Sequence, residues 1–135
     1  LGGDFTGRGL AEALHRRRIP IKPALLDQRL VAGVGNIYAS ESCFAARIDP
    51  RTPCRRVDGA GAARLRNAVR RVLRRALRTG ATLPPPAAGF RQRARRRYEF
   101  LVYRREGLPC RRCGAPIERL RQGGRSTFWC PGCQG

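Results

Sequence analysis

Four cysteines near the end of the chain constrain its fold more than any other feature. They form two Cys-x2-Cys pairs separated by 16 residues, namely Cys110, Cys113, Cys130 and Cys133. Two such pairs joined by a hairpin can close a tetrahedral thiolate site with Zn–S distances of about 2.3 Å. Gly114 and Gly132 stand where the two knuckles need tight turns. Because protein sulfurs fill all four positions, the spacing predicts one structural Zn²⁺ ion and not a catalytic one.

Two disulfides are the alternative use of these cysteines. The sequence shows no signal peptide, and in such a chain metal ligation or free thiols are favoured over disulfides. Two further cysteines lie outside the motif. Cys43, on a predicted helix, is expected to be a small buried apolar residue. Cys54 follows Pro53 in a predicted loop and is expected to be an exposed thiol.

Short strands are predicted around the cysteine pairs. Gln122-Gly123-Gly124 is a typical hairpin turn, and strands are predicted on either side of it at Ile117–Arg121 and Ser126–Trp129. Another strand is predicted at Tyr98–Tyr103. The aromatic pair Phe128-Trp129 is expected to pack the small core of this region.

The charge of the chain points to a polyanionic partner. There are 29 Lys and Arg residues against 9 Asp and Glu residues, a formal net charge of +20. A positive field of this size is typical of proteins that bind nucleic acid. A coding bias toward arginine explains why Lys22 is the single lysine, and it makes that lysine conspicuous. No apolar run reaches the roughly 18 residues of a membrane span. A basic helix lying on an anionic membrane fits poorly with the four paired cysteines.

The region before the cysteine pairs is predicted to be mostly helical. A first helix is expected from Thr6 to the basic end at Arg18, a short second one from Pro23 to Leu30, and a third over Ile37–Ala46. A long helix is expected from Asp58 to Gly80, because apolar residues recur on one face: Leu65, Val69, Val72, Leu73, Ala76 and Leu77. Arginines occupy the rest of that helix, and a solvated face is their ordinary interpretation: Arg64, Arg66, Arg70, Arg71, Arg74, Arg75 and Arg78.

A glycine-rich turn before the third helix is a candidate phosphate site. In Gly33-Val34-Gly35-Asn36, two glycines two apart indicate a tight turn with positive φ, and Asn36 is a good N-cap. The free N–H groups of the helix start and the Asn36 amide favour a phosphate there. Lys22, one helix upstream, can reach the same phosphate as a point charge. On these residues alone, an ordinary capped turn is an equally good interpretation.

Longer stretches resemble a known family of DNA-repair enzymes. Residues Ile21–Gln28, Val31–Glu41 and Ile48–Pro50 resemble the helix-two-turn-helix of formamidopyrimidine-DNA glycosylases, and Arg125–Cys133 resembles the zinc finger that ends them. The resemblance covers most of the chain in the same order. It implies a mostly α fold with a small β zinc ribbon. A helix-two-turn-helix domain (1–80) would be joined by a loop (81–97) to a four-cysteine zinc finger (98–135).

The resemblance also implies which residues contact DNA. The implied set is Lys22, Gly33, Gly35, Asn36, Tyr38 and Arg125. In that family the matching lysine, asparagine and arginine grip the phosphates around the damaged nucleotide, and the glycines let the backbone approach the strand. Apart from the resemblance, a position directly after the hairpin turn suits a guanidinium that holds phosphate.

The implied activity is the excision of oxidised purines, 8-oxoguanine and formamidopyrimidines, in base excision repair. It proceeds on damaged double-stranded DNA through a Schiff base and β- and δ-elimination, with the damaged base flipped out. The family's nucleophile is an N-terminal proline amine, whereas this chain begins with Leu1. We therefore expect no catalytic residue here, a separate N-terminal catalytic domain as partner, and no activity of this chain alone. The family further implies a monomer in the bacterial cytoplasm, held at the nucleoid through DNA.

Alternatives stay open at this point. A stand-alone zinc-ribbon protein that binds nucleic acid would account for the charge and the cysteines, but not for Lys22 and Asn36 in register with Arg125. An endonuclease VIII-like glycosylase acting on oxidised pyrimidines would share the same superfamily. Residues 81–97, with Pro84-Pro85-Pro86 and an arginine cluster, depart from the family's lesion-capping loop. The sequence therefore leaves the lesion preference open, and a local reading-frame error is another explanation of the departure.

Overall fold

The computed structural model of the chain describes residues 7–27, 35–79 and 100–135. In these ranges the elements are α1 (Gly7–His15), α2 (Ile21–Leu25), α3 (Asn36–Ala45), a 3-10 helix (Cys54–Arg56), α4 (Gly59–Thr79), β1 (Glu118–Gln122), β2 (Arg125–Trp129) and α5 (Pro131–Gln134). The predicted class, mostly α with a small β ribbon, is confirmed. None of the described helices is both long enough and apolar enough to cross a membrane.

Helix α3 lies at the centre of the helical part. Its residues from Tyr38 to Phe44 are all buried, so neighbouring elements cover it on every side. Helices α2, α4 and α5 and strand β2 all pack on it. Cys43, in the middle of this helix, is fully buried, which confirms its predicted role as a small apolar residue.

The long helix α4 forms as its sequence pattern predicts. The Oδ1 atom of Asp58 accepts a hydrogen bond of 2.7 Å from the backbone N–H of Gly61, which satisfies one of the free donors at the start of the helix. One face is buried against α1 and α3: Ala62, Leu65, Ala68, Val69 and Ala76. Burial of this face stabilises the helix, whereas its many arginines at spacings of three and four residues repel one another.

The two strands form the predicted hairpin. They pair antiparallel, from Glu118 opposite Trp129 to Gln122 opposite Arg125 next to the turn. Gly123 and Gly124 have φ values of 57° and 80°, and two successive residues in the left-handed region are what a two-residue type I′ turn requires. The turn thus has two residues and not three, because Gln122 belongs to β1.

The finger, which we define as residues 100–135, has a small core of its own. It contains Val102, Cys110, Ile117, Phe128 and Cys130, and the Phe44 ring of α3 inserts into it. Both rings of the aromatic pair are buried, but only Phe128 belongs to this core, so the expected packing is confirmed for Phe128 alone. The guanidinium of Arg51 lies over the Trp129 ring, 4.4 Å from the ring centroid. This cation–π contact joins the finger to the helical part.

The strand predicted at Tyr98–Tyr103 is wrong for the part of it that the structure describes. Residues 100–103 form a bend and a turn, and Arg104 has a φ of 57°. The physical reason lies in α3, where the buried carboxylate of Glu41 accepts hydrogen bonds from three successive backbone N–H groups. Those donors are consequently not available to a neighbouring strand. Residues 98 and 99, and the predicted loop at 81–97, lie outside the described residues.

The second helix differs from its predicted bounds of Pro23 to Leu30. It begins at Ile21 and ends at Leu25, and residues 28–30 lie outside the described ranges. Pro23 is compatible with this start because the first turn of a helix has no acceptor for its N–H groups. The helix closes with a tightened turn in which the Leu26 N–H donates to the Pro23 carbonyl at 3.1 Å.

The expectation that Cys54 is exposed is also wrong. Its side chain is fully buried in the helical core. The residue opens the 3-10 helix that packs against α1, and its N–H donates to the Ile19 carbonyl at 3.0 Å. Sequence reasoning placed it in a surface loop because neither helical nor strand periodicity marks this segment.

Candidate nucleic-acid interface and metal centre

The four paired cysteines converge on one point. Their Sγ atoms all lie within 4.8 Å of one another, and two of the separations are 3.8 Å (Cys110 to Cys133) and 3.4 Å (Cys113 to Cys130). A tetrahedron with Zn–S bonds of about 2.3 Å has edges of about 3.8 Å. The four sulfurs therefore fit one structural Zn²⁺ ion, which confirms the predicted cofactor.

The knuckles are shaped by backbone features as well as by sulfur. Gly114 has a φ of 82°, which an L-residue with a side chain rarely adopts. A Cβ on Gly132 would come within 2.9 Å of the Cys113 sulfur, so a side chain there would displace a ligand. Although burial opposes ionisation, backbone N–H groups of Cys113 and Arg112 lower the pKa of Cys110 to about 7, which favours the thiolate that zinc requires.

Two glutamines join the finger to the helical part, and sequence reasoning missed both. The buried Gln134 accepts a hydrogen bond from the Cys130 N–H through Oε1 and donates through Nε2 to the Ile48 carbonyl, each at 2.8 Å. Gln122 donates through Nε2 to the Pro50 carbonyl at 3.1 Å. Cys130, one of the four zinc ligands, is thus connected through the Gln134 side chain to the segment that follows α3. Only the folded arrangement shows the contacts to Ile48 and Pro50, since these partners are 86 and 72 residues away in sequence.

Lys22 and Asn36 form the centre of the candidate interface. Helix α2 places Lys22 inside the protein, where its side chain is 0% exposed. Its Nζ atom donates a hydrogen bond of 2.5 Å to Oδ1 of Asn36, the first residue of α3. Asn36 is only half-buried, so this pair links a buried cation to the surface.

The same asparagine reaches the finger. Its Nδ2 atom donates a hydrogen bond of 3.1 Å to the carbonyl of Ser126, the residue after Arg125 on strand β2. Arg125 itself is exposed and is close enough to lower the pKa of Lys22 through its charge. The structure therefore brings together the lysine, the asparagine and the arginine that the sequence singled out.

Burial governs the charge of this site. It lowers the pKa of Lys22 to about 8, with the Cys43 thiol acting in the opposite direction and the Arg125 guanidinium in the same one. Within residues 7–27, 35–79 and 100–135, no carboxylate forms a salt bridge with Lys22. An anion arriving at this surface would meet a cation that no acidic side chain neutralises.

The glycine turn differs from its prediction in two respects. Asn36 is not the N-cap of α3 but its first residue, because its side chain bonds to Lys22 and Ser126 and the cap position falls on Gly35. Gly35 has a φ of −97°, which is not the predicted positive value. A Cβ added there would meet no described atom within 4 Å, so packing among the described residues does not demand glycine. Gly33 lies outside the described residues.

Tyr38 takes a different place from the other predicted contacts. Its side chain is 8% exposed and belongs to the core of the helical part. Burial, with the nearby Glu41 carboxylate, raises the pKa of its phenol. The DNA-binding roles of Tyr38 and of the rest of the set stay predictions.

Glu41 is the most deeply engaged carboxylate near this surface, and its role was not predicted. It is 3% exposed and accepts hydrogen bonds of 2.8, 2.8 and 3.1 Å from the backbone N–H groups of Leu101, Val102 and Tyr103. Burial raises its pKa, and these three donors oppose that shift. Glu41 is the one charged residue of α3, and this was the available signal for a buried acceptor.

Comparisons with known proteins match both parts of the chain. Residues 1–84 match the family described as the formamidopyrimidine-DNA glycosylase H2TH domain, and residues 107–135 match the zinc finger found in FPG and IleRS. The formamidopyrimidine-DNA glycosylase of Bordetella petrii is 48% identical over 132 residues, which cover 96% of this chain and 48% of that protein. The enzyme of the same name from Chloroflexus aurantiacus is 44% identical over 135 residues and is covered to 49%.

Solved structures show the same similarity in three dimensions. The MutM (Fpg) protein of Thermus thermophilus superposes with a TM-score of 0.83 at 42% identity, over 100% of this chain and 52% of the other. A structure of MutM in complex with DNA containing carbocyclic 8-oxo-G gives 0.85 at 32% identity, over 100% and 48%. This chain spans about half the length of the curated relatives that it matches.

Proposed function

The chain belongs to the formamidopyrimidine-DNA glycosylase family, and from that membership we propose that it is the DNA-binding part of a bifunctional DNA glycosylase/AP lyase. The substrate is double-stranded DNA that contains oxidised purines, 8-oxoguanine or formamidopyrimidines, and the process is base excision repair. Base removal and strand cleavage belong to a catalytic domain that accounts for the other half of the relatives' length. The observation that carries this proposal is the convergence of Lys22, Asn36 and Arg125 from three separate elements.

These three groups suit a bent phosphate strand. Lys22 supplies a point charge, Arg125 a planar guanidinium, and Asn36 stands at the first turn of the 10-residue helix α3, whose free N–H groups favour an anion. The lack of any described atom within 4 Å of a Cβ at Gly35 supports close approach of a sugar-phosphate strand to the backbone. Contacts of this kind position the duplex and carry no base readout, which suits an enzyme that must hold any sequence around a damaged nucleotide.

The zinc centre supports this role indirectly. Cys110, Cys113, Cys130 and Cys133 would hold the ion, which would supply rigidity and no chemistry to the reaction. Rigidity matters because the hairpin carries both Arg125 and the Ser126 carbonyl that holds the Asn36 amide. Holding the strand around the lesion lets the damaged base stay outside the stack while the catalytic domain acts on it.

Binding to two matched duplexes tests the proposal. One duplex contains a tetrahydrofuran abasic-site analogue and the other is undamaged, and fluorescence anisotropy measures the affinity of the zinc-loaded chain for each. We expect tighter binding to the abasic duplex, because a missing base makes the bent strand easier to form. Asn36→Ala should reduce that preference by roughly tenfold or more, the usual cost of a lost hydrogen bond to a charged group.

An exposed asparagine on α4 provides the control. Asn67→Ala removes an amide that interacts with Arg66 at the surface, and it should leave the affinity unchanged. Equal affinity of the unsubstituted chain for both duplexes would contradict the proposal. Cleavage assays on duplexes with 8-oxoguanine or an oxidised pyrimidine, in the presence of the catalytic domain, decide between the purine and endonuclease VIII-like specificities.

A further inference from the structure

The exposed side of helix α4 carries a concentration of positive charge that the proposed lesion site does not use. The helix contains seven arginines and no acidic residue, and the sequence has no Asp or Glu between Asp58 and Glu99. A coding bias toward arginine accounts for arginine in place of lysine. It does not account for the lack of acidic residues that would neutralise the helix.

Three of these arginines form a patch that faces solvent. Arg71 and Arg74 are exposed and Arg70 is half-exposed, and their spacings of three and four residues place them side by side on the helix surface. Within residues 7–27, 35–79 and 100–135, none of the three forms a salt bridge. Like charges at these spacings repel one another and lower the stability of the helix. The patch is therefore present although it destabilises α4 locally. We call these three residues the arginine face.

The arginine face is directed away from the proposed lesion site. The buried side of α4 packs on α1 and α3, whereas strand β2, which carries Arg125, packs on α3 itself. Strand β2 and α4 both contact α3, and the arginine face lies on the side of α4 that is turned away from α3. The start of α4 is fixed beside the end of α3 opposite Asn36, because the Arg64 side chain donates to the Ala46 carbonyl at 3.2 Å.

We propose that the arginine face binds the phosphate backbone of a second segment of double-stranded DNA while the first segment occupies the lesion site. The charge is complementary to phosphate, and guanidinium is the side chain best suited to paired contacts with it. From Arg70 to Arg74 the helix rises about 6 Å, which corresponds to about two base-pair steps of duplex. Because the arginine face is turned away from α3, a rigid duplex held at Asn36 does not lie along it, so the partner is a separate segment.

A capture assay with two duplexes tests this. An immobilised duplex with a tetrahydrofuran site retains the zinc-loaded chain, and a fluorescent undamaged 20-base-pair duplex is then added. We expect the second duplex to be captured, and we expect R70Q/R71Q/R74Q to lose capture by tenfold or more while binding the first duplex as before. Glutamine keeps the helix propensity, and unchanged thermal unfolding by circular dichroism confirms that the variant is folded. With three phosphate contacts, capture should fall about 40-fold as salt rises from roughly 50 to 200 mM.

A control variant removes the same charge elsewhere. R16Q/R18Q/R55Q loses three exposed arginines outside α4 and should capture the second duplex normally. Equal loss in both variants would overturn the proposal in favour of net charge alone, as would capture that survives R70Q/R71Q/R74Q. Binding of phosphatidylserine vesicles through the arginine face with no capture of duplex would overturn it in favour of an anionic membrane.

A further variant separates this proposal from that of the lesion site. The chain with Asn36→Ala is tested for direct binding of the undamaged duplex, with and without R70Q/R71Q/R74Q. Binding that depends on the three arginines supports the arginine face, whatever the preference for abasic DNA turns out to be. Binding that is independent of them counts against it.

Discussion

Lys22 and Asn36 share a hydrogen bond of 2.5 Å although one side chain is fully buried and the other reaches the surface. The ammonium group has three donors, and Asn36 takes one of them. The amide therefore orients a cation that solvent does not reach directly. Under the proposed function, anion binding at this site depends on the protonation state of Lys22.

Affinity for DNA should depend on pH through Lys22. Burial lowers the pKa of this lysine to about 8, and phosphate binds the protonated form. Affinity should be constant below pH 8 and should fall above it, by an amount approaching tenfold per pH unit, until the pKa of the complex is reached. Anisotropy titrations between pH 6.5 and 9.5 measure this. Lys22→Arg, whose charge persists over that range, should remove the slope, and an unchanged slope would assign the pH dependence to another group.

Removal of zinc should unfold the finger and weaken DNA binding together. Trp129, the single tryptophan of the chain, is 5% exposed and follows the unfolding directly by a red shift of its fluorescence. Mass spectrometry of the native chain should find one zinc ion. Cys113→Ser should lower zinc affinity, whereas Cys54→Ala, at a buried cysteine that is not a ligand, should keep the ion. Disulfides in the freshly purified chain would contradict the metal assignment.

Glu41→Gln should destabilise the chain although the two side chains have nearly the same shape. The carboxylate accepts three backbone hydrogen bonds, and an amide would present its own donors to one or two of them. Hydrogen bonds to charged groups contribute about 1.5–3 kcal/mol each, so we expect a loss of about 2–4 kcal/mol in urea unfolding. Glu106→Gln, at an exposed carboxylate 3.8 Å from Arg119, should change the free energy of unfolding by less than about 1 kcal/mol. If Glu41→Gln were equally harmless, the carboxyl would be protonated in the native state.

Two glycine substitutions should separate folding from binding. Gly132→Ala adds a methyl group 2.9 Å from the Cys113 sulfur, which is too close for that ligand to keep its position. The variant should therefore bind zinc more weakly in a competition with a chromogenic chelator. Gly35→Ala adds a methyl group that meets no described residue, at an ordinary φ of −97°, so the thermal midpoint should stay the same. Its methyl group should nevertheless lower DNA affinity, because it occupies the approach to the strand. Full affinity in the Gly35→Ala chain would remove this turn from the interface.

Much of the fold and of the metal centre was predictable from local sequence. The cysteine spacing identified the zinc ligands, Gly123 and Gly124 identified the hairpin turn, and the apolar stripe identified α4, since each of these signals is carried by neighbouring residues. The errors arose where a distant partner decides the local structure. Residues 100–103 look like a strand until the buried carboxylate of Glu41 takes their N–H groups.

The candidate interface was predictable in its members but not in its connections. Lys22, Asn36 and Arg125 were singled out by a rare lysine, a glycine turn and a family resemblance. Their contacts run across 14 residues from Lys22 to Asn36 and 90 residues from Asn36 to Ser126. Periodicity and spacing do not extend to such separations, so the amide's role as a bridge to the hairpin, in place of a helix cap, appeared only in three dimensions.

The bond from Asn36 to Ser126 joins two regions that a ribosome produces at widely separated times. A nascent chain that has completed its helices, or a finished chain without zinc, still lacks the hairpin side of the proposed DNA interface. Under the proposed function, such intermediates would lack half of the DNA contacts and would not compete with the complete protein for a damaged site. The proposed interface is therefore completed only when the last segment of the chain has been synthesised and has bound its metal.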